Sequence, residues 1–202
     1  MTVWKNLVSL ILILMSFCNG YSQDSWVLKK AEKGIKIYTR PKANIPFDEY
    51  KATTIIDTSI ENVLNELLEA PEYYDECPSE ISYYLKSISK NQHLFYVHKS
   101  FPWPIKDRDI ITLLTIEKLS DKKIKLYLES APNQIPKKNK TIRIKDLMGF
   151  WLLEEKNNKT MVTQQLYLDP EGSLPPFIVN KLLVKGPYKT FSVLQDLKDK
   201  SS

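Results

Sequence analysis

Runs of alternating or β-branched apolar residues predict strands along most of the chain. Three short polar segments, residues 90–92, 120–122 and 156–159, separate neighbouring runs at hairpin-like spacing. Hairpins in series imply an antiparallel sheet, because consecutive strands then run in opposite directions. The predicted strands are residues 35–39, 49–56, 82–89, 93–98, 110–119, 123–130, 149–154 and 160–168.

Two stretches instead repeat apolar residues at helical spacing. The first starts at a capping box, residues 58–61, and ends before Pro71. The second follows a turn at residues 169–172, and we expect it to kink at residues 186–187, a Gly-Pro pair. A short helix is also predicted at residues 25–32. One long helix against a curved antiparallel sheet is an α+β arrangement.

Residues 1–22 have the pattern of a secretory signal peptide. Lys5 precedes an apolar run at residues 7–15, and small and polar residues follow it. This run is too short to span a bilayer comfortably. We therefore expect an exported protein in which residues 23–202 form a single domain. The bias of the chain towards Lys, Asn and Ile suggests that it is periplasmic or extracellular in a bacterial host.

Cysteine usage and charge narrow the range of functions. Cys18 follows Phe17, which is bulky where lipoprotein processing requires a small residue, so a lipid anchor is not expected. Cys77 is then the only cysteine after the signal peptide, so no intrachain disulfide can form and stability must come from the core.

Removing the signal peptide takes away Lys5 and lowers the formal net charge from +5 to +4. A mildly basic, lysine-rich chain does not indicate nucleic-acid binding.

Arg108 is a cation at the start of a strongly apolar strand. The residues before it, 101–106, are rich in proline and aromatic side chains, which stiffen the approach. Asp107 and Asp109 flank Arg108, but neighbours along a strand point to opposite faces. A buried arginine needs an anionic or hydrogen-bonding partner. Two alternatives remain open: a structural ion pair with a distant carboxylate, or a guanidinium that faces an anionic ligand.

Large aromatic residues are frequent in the predicted strands and the last helix, and the chain has 11 tyrosines. A bent sheet that holds one helix need not fill the space between them. Tyr and Trp combine apolar area with a hydrogen-bonding tip, which suits the wall of a cavity for an amphiphile. Each residue alone could simply fill the core, whereas the set favours a lined cavity. The aromatic candidates are Tyr50, Tyr84, Tyr96, Phe101, Trp103, Tyr127, Trp151, Tyr167, Phe177 and Tyr188.

Several motifs, in order along nearly the whole chain after residue 22, resemble those of START domains, the StAR-related lipid-transfer family. The segment F-P-W-P-I-K-D-R-D at residues 101–109 is similar to the P-F-P-x-x-x-R-D signature of the family. The order and spacing of the motifs make the resemblance specific. The other matching segments are residues 26–28, 34–40, 149–153, 160–163, 169–172 and 174–182.

The resemblance implies a helix-grip fold (START/Bet v 1-like), in which a curved antiparallel sheet wraps around a long C-terminal helix and encloses a hydrophobic cavity. It implies binding of one lipid or other apolar molecule without catalysis or a cofactor, with Arg108 at a lipid phosphate. Phe177 replaces the usual tryptophan, and Leu114 stands where sterol-binding members have a second arginine. Gln164 lies on a late strand where aromatics that bind choline could sit. The candidate ligand-binding residues are Arg108, Tyr96, His98, Trp103, Tyr127, Trp151, Gln164, Phe177 and Tyr188.

The two histidines and one basic run are further candidates. His98 lies near the position of an acidic cavity residue in some START members, so it is expected either to hydrogen-bond a headgroup or to be exposed or paired. His93 is expected to be solvated in a turn. Neither histidine has the acidic partner that a metal site needs. The basic residues at 137–145, which include Arg143, are expected in a solvated loop or edge strand that could touch an anionic membrane.

Motifs of common enzymes are missing from the sequence. There is no G-x-S-x-G, H-E-x-x-H or C-x-x-C motif and no glycine-rich phosphate loop. We therefore expect a monomeric lipid carrier, transfer or sensing protein that makes at most transient contact with membranes and none with nucleic acid. The alternatives are a cavity enzyme of the same fold, of cyclase or hydrolase type, and an interaction module with a filled core.

Overall fold

A computed structural model of the chain describes residues 25–42, 47–69, 80–172 and 174–197. The predicted signal peptide, Cys77 and the helix-ending Pro71 lie outside the described residues. The strands and helices that follow all belong to the described part of the chain. They are β1 (Val27–Glu32), β2 (Ile35–Arg40), β3 (Glu49–Ile56), α1 (Ile60–Glu69), β4 (Glu80–Ser89), β5 (Gln92–Lys99), β6 (Asp107–Ser120), β7 (Lys123–Ser130), β8 (Thr141–Arg143), β9 (Leu147–Lys156), β10 (Lys159–Leu168) and α2 (Pro176–Gln195).

The strands form one sheet in the order β1-β2-β3-β10-β9-β7-β6-β5-β4, and the short β8 pairs with β6. All pairings are antiparallel except that of β8 with β6. This curved antiparallel sheet with its C-terminal helix confirms the predicted α+β class and the helix-grip arrangement. The runs predicted at residues 49–56 and 123–130 match β3 and β7 end to end.

The helix predicted at residues 25–32 is wrong, because Val27–Glu32 is a strand that pairs antiparallel with β2. Lys33 and Gly34 join the two strands, with positive φ values of 48° and 78°. Two successive residues in this left-handed region make a hairpin turn whose twist matches that of the flanking strands. The turn and the pairing with β2 therefore override the local helical pattern of residues 25–32.

Helix α1 has its N-cap one residue later than the predicted capping box implies. Ser59 Oγ accepts the backbone N–H of Asn62 at 3.2 Å, so Ser59 occupies the N-cap position. Thr58 Oγ1 accepts a hydrogen bond from the Asn62 side chain at 3.0 Å. The buried face of the helix turns towards β9 and β10 and consists of Ile60, Val63 and Leu67.

Helix α2 packs along β2 and β3. The ring of Phe191 stacks on that of Trp151 in β9, with centroids 5.6 Å apart and planes 18° from parallel. Near the helix end, Gln195 Nε2 donates to Thr54 Oγ1 of β3 at 2.7 Å. The predicted kink at residues 186–187 does not interrupt the helix, which is continuous from its first residue to its last.

The sheet has an inner face, towards α1 and α2, and an outer face. Side chains alternate between the two faces along a strand, and paired residues share a face. A smaller core on the outer face consists of Leu94, Tyr96 and Ile111, covered by Ala131 and Ile135. The inner face carries the main core, and one of its cross-strand rows is Ile37, Ala52, Gln164, Trp151, Leu126 and Ile116.

Gly149 of β9 lies very close to the backbone of β10. A Cβ at this position would lie 2.3 Å from the carbonyl oxygen of Gln165 and 2.9 Å from the Cα of Leu166. Because these backbone atoms cannot move without displacing the strand, Gly149→Ala is expected to lower the free energy of unfolding by about 1–3 kcal/mol. Urea unfolding measures this change.

Gly186→Ala in helix α2 is the matched control. Apart from its two chain neighbours and the nearby backbone of its own helix, no atom lies within 4 Å of a Cβ built at Gly186. Alanine favours helix over glycine, but its Cβ would crowd the Cδ of Pro187, so the two effects oppose each other and the free energy of unfolding should change by less than about 1 kcal/mol. Wild-type stability in Gly149→Ala would contradict the close approach of β9 and β10.

Candidate functional site

Arg108 lies on the inner face at the start of β6 and is only 4% exposed. Its Nε donates to the carbonyl oxygen of Pro170 and its Nη2 to that of Glu171, both at 3.3 Å. Its Nη1 donates to the carbonyl oxygen of Lys106. The guanidinium carbon is 5.4 Å from the ring centre of Phe101. The guanidinium therefore ties the start of β6 to the segment that leads into α2.

Within the described residues, no carboxylate forms an ion pair with Arg108. The Asp107 carboxylate is 3.4 Å from His98 Nε2, and Asp109 pairs with Arg143. Burial lowers the pKa of Arg108, and the nearby charge of Asp107 opposes this effect. The partners of Arg108 are neutral carbonyls, and three of its five N–H groups donate to them. Within the described ranges, two N–H groups are left for a further acceptor.

Asp109 and Arg143 form a bidentate ion pair on the outer face, at 2.7 and 2.9 Å. Both side chains are 1% exposed. Tyr96 Oη donates to the same carboxylate at 3.3 Å. The bond to Asp109 is the main cause that raises the pKa of Arg143. The guanidinium also donates to three carbonyls of the loop that covers the smaller core, those of Pro132, Ile135 and Pro136.

This pair corrects the expectation that the whole basic run at residues 137–145 is solvated. Arg143 lies in β8, whose parallel pairing with β6 places it opposite Asp109. The ion pair with a distant carboxylate that the sequence suggested for Arg108 does not form within the described residues, and the buried ion pair at this place joins its neighbour Asp109 to Arg143. Lys137 and Lys140 in the same run are exposed, as expected.

Three of the predicted site residues face the inner side: Arg108, Trp151 and Gln164. Trp151 stacks on α2, and Gln164 Oε1 accepts a hydrogen bond from Tyr50 Oη at 2.7 Å with both side chains buried. Tyr50 of β3 and Gln164 of β10 thus form a polar pair on the inner face. The side chain of Phe177 lies outside the described residues. Tyr188 on α2 faces β1, where Lys30 Nζ lies 4.0 Å from its ring centre.

Four other predicted site residues do not face the interior. Tyr96 pairs with Ile111, and Tyr127 pairs with Phe150, so strand alternation puts their side chains on the outer face. His98 lies on the same outer face as Tyr96. The fourth, Trp103, is 92% exposed in the loop between β5 and β6. The predicted contact of these side chains with an internal ligand conflicts with their placement.

Among the described residues, His, Cys, Asp and Glu side chains do not gather into a group of three that could hold a metal ion. In the same part of the chain, neither helix combines the length and the apolar character that crossing a membrane requires.

The model of the START domain family matches residues 19–193 of the chain. This chain belongs to the START family. The match confirms the resemblance that the motifs between residues 26 and 182 indicate. START domains are typically lipid-binding and lipid-transfer proteins, so the inner face and Arg108 belong to a fold associated with binding of hydrophobic ligands.

Individual relatives of this START domain come from bacteria and mammals. It is 28% identical to an uncharacterized protein of Pseudomonas aeruginosa over 90% of both chains. It is 26% identical to the phosphatidylcholine transfer protein of Rattus norvegicus, over 77% of this chain and 75% of that protein. A solved fragment, residues 25–204, of a STAR-related lipid transfer protein from Xanthomonas axonopodis superimposes with a TM-score of 0.77 at 29% identity. That similarity covers 85% of this chain and 97% of the fragment.

Proposed function

We propose that this START domain binds one amphiphile, with the apolar part between the inner face and α2 and a phosphate or carboxylate at Arg108. The observation that carries the proposal is a buried guanidinium whose partners among the described residues are neutral and leave two of its N–H donors unpaired. A buried charge without a counter-charge is costly, and an anionic ligand supplies one. The guanidinium fork suits two oxygens of one anionic group.

In this proposal, the apolar side chains of the inner face provide most of the binding free energy. Burial of an acyl chain contributes about 0.8 kcal/mol per methylene, so a dozen methylenes contribute roughly 10 kcal/mol before ordering costs. Selectivity can then depend on a few polar contacts, for which Arg108 and the Tyr50–Gln164 pair are available. The similarity to a protein named for phosphatidylcholine transfer supports a phospholipid. Sterol-binding members of the family have a second arginine at the position of Leu114, so this chain lacks the pair of arginines that would favour a sterol.

A carrier or sensor is favoured over a cavity enzyme. General acid–base catalysis needs a titratable group within reach of the substrate. At the anionic end of the proposed ligand, Arg108 is a poor proton donor, and His98 lies on the outer face beside Asp107. We therefore infer that the ligand is bound and released without chemical change by a monomer.

Export is part of the same proposal. The charged start, short apolar run and small-residue end of residues 1–22 support a cleaved signal peptide, with residues 23–202 as the mature domain. The protein would then act in a bacterial periplasm or outside the cell. Fractionation of the host with antibody detection tests this, since the mature protein should lack residues 1–22 and be absent from the cytoplasm.

Trp103 supports transient contact with a membrane. It projects from a loop that also carries the exposed Lys106, next to the buried Arg108. Amphipathic aromatic side chains favour the membrane interface. Trp103→Ser is expected to slow lipid uptake from anionic vesicles by about tenfold without changing the free energy of unfolding. Stopped-flow transfer of a fluorescent phospholipid measures the rate.

Leu119→Ser, which also removes an exposed apolar side chain, is the control for Trp103. It lies at the opposite end of β6 from Arg108 and should leave the uptake rate unchanged. Equal rates for wild type and Trp103→Ser would show that this loop does not carry the membrane contact.

The proposed ligand class can be tested with two lipids that differ only in the phosphate. Purified protein is incubated with vesicles that contain phosphatidic acid or the diacylglycerol with the same chains, and complexes are measured by native mass spectrometry. We expect a one-to-one complex that strongly favours phosphatidic acid, with the lipid recovered intact. Absence of both complexes would contradict lipid binding, and a chemically altered lipid would favour the enzyme alternative.

A further inference from the structure

One ring nitrogen of His93 is buried and unpaired in the part of the chain that the structure describes. It lies in β5, not in a solvated turn as its sequence context suggests. Its Nδ1 is 3.3 Å from Tyr84 Oη. Its Nε2 is buried and has no hydrogen-bond partner, the single such side-chain atom found among the described residues. A buried polar atom without a partner destabilises a protein, so it calls for an explanation.

The sheet register places His93 on the inner face. His93 pairs with Leu114 of β6, which belongs to the main core together with Phe95. Tyr84, opposite Phe95, shares this face and is still 39% exposed. This end of the inner face is therefore accessible to solvent at Tyr84, and the described residues supply neither an acceptor nor a donor for the Nε2 of His93.

His93 and Arg108 lie at opposite ends of the same stretch of sheet. Arg108 pairs with Lys99, and His93 is six positions from Lys99 along β5. At about 3.4 Å per residue, the two sites are roughly 20 Å apart. The inner face between them carries apolar side chains, among them Val97 and Ile110. This spacing is close to the length of an extended palmitoyl chain.

We propose that His93 Nε2 is a second polar subsite, which hydrogen-bonds a hydroxyl group at the far end of an acyl chain whose anionic group lies at Arg108. A hydroxyl both donates and accepts, so it satisfies Nε2 in either neutral tautomer of the ring. The inference rests on the proposed function and deepens it: the preferred ligand is a chain with a polar group at each end. The apolar wall between the two ends would hold the methylenes.

A competition between two fatty acids tests this subsite. Wild-type protein is mixed with equal amounts of palmitate and its ω-hydroxy derivative, and the two complexes are measured by native mass spectrometry. We expect the hydroxylated acid to be favoured by about tenfold, because a site with an unpaired polar group rejects the analogue that lacks the matching group. In His93→Leu the preference should disappear or reverse in favour of palmitate.

Gln92→Leu is the matched control for His93→Leu. Gln92 is the neighbouring residue on the outer face, where it contacts Thr115, and its loss should leave the preference intact. His93→Leu should also unfold at the same or a higher urea concentration than wild type, because it removes an unpaired polar atom. Binding of both acids without a preference in wild type, or an unchanged preference in His93→Leu, overturns the subsite alone. Absence of binding of either acid overturns the proposed function for carboxylate lipids, and the subsite with it.

Discussion

Replacing Arg143 with methionine is expected to lower the free energy of unfolding by about 3–5 kcal/mol. The change leaves the Asp109 carboxylate buried, with the hydroxyl of Tyr96 as a weak partner at 3.3 Å. It also removes the donor for three carbonyls of the loop that covers the smaller core. A buried charge that loses its counter-ion keeps its full desolvation penalty. Urea unfolding followed by circular dichroism measures the loss.

Lys145→Met is the matched control for Arg143→Met. Lys145 is mostly exposed, and its ammonium lies 3.7 Å from the Glu171 carboxylate, so its removal should cost less than about 1 kcal/mol. The double change Asp109→Leu with Arg143→Met removes both charges and should recover much of the loss. A loss below about 1 kcal/mol in Arg143→Met would mean that this pair does not hold the loop against the sheet.

Replacing Arg108 with leucine is expected to weaken binding of phosphatidic acid by about 2–5 kcal/mol, or roughly thirtyfold or more. The guanidinium is the one cation that we place at the anionic end of the ligand, and its other partners are neutral. Binding of the matching diacylglycerol should change little, because that lipid has no phosphate. Titration with each lipid, followed by tryptophan fluorescence, gives the two affinities.

Arg108 also has a structural role, so the binding comparison needs a check on folding. Arg108→Leu leaves the carbonyls of Lys106, Pro170 and Glu171 without their donor, and some loss of stability is expected from this. Arg108→Lys keeps the charge but loses the fork, and should bind phosphatidic acid with intermediate affinity. If a folded Arg108→Leu protein bound phosphatidic acid with wild-type affinity, the role of Arg108 would be only structural, as a connection between β6 and the segment before α2.

The strands were predictable because apolar alternation and hairpin turns are local features. The strands at residues 49–56 and 123–130 can be predicted without knowing which other strands they pair with. Residues 25–32 show the limit of this reasoning. This segment lies at the edge of the sheet, where most of its side chains are exposed, and only the turn at Lys33 and Gly34 and the pairing with β2 make it a strand.

Arg108 could be identified from sequence because a permanent cation before an apolar run is conspicuous. Its partners could not, since they are backbone carbonyls, which every residue carries. Arg143 lies in a lysine-rich run, and such runs are usually solvated. Its residue type and its position between Ile142 and Ile144 instead indicate a buried ion pair, because arginine suits such pairs better than lysine does.

The aromatic candidates on the two faces of the sheet have the same residue types, so type alone does not show which of them face the interior. Side-chain alternation along the predicted hairpins distinguishes the two faces. Tyr96 pairs with Ile111, one position away from the inner Ile110, and so belongs to the outer face. The exposure of Trp103 could not be read this way, because it lies in a loop where no alternation applies.

The most direct test of the central claim, a bound amphiphile with its anionic group at Arg108, is to identify what the protein carries in its native host. Protein purified without detergent would be measured by native mass spectrometry, then denatured and extracted for lipid analysis. The account predicts one lipid per chain that bears a phosphate or carboxylate, and its loss in Arg108→Leu. A ligand-free protein that also fails to bind phosphatidic acid, or a bound molecule without an anionic group, would contradict the account.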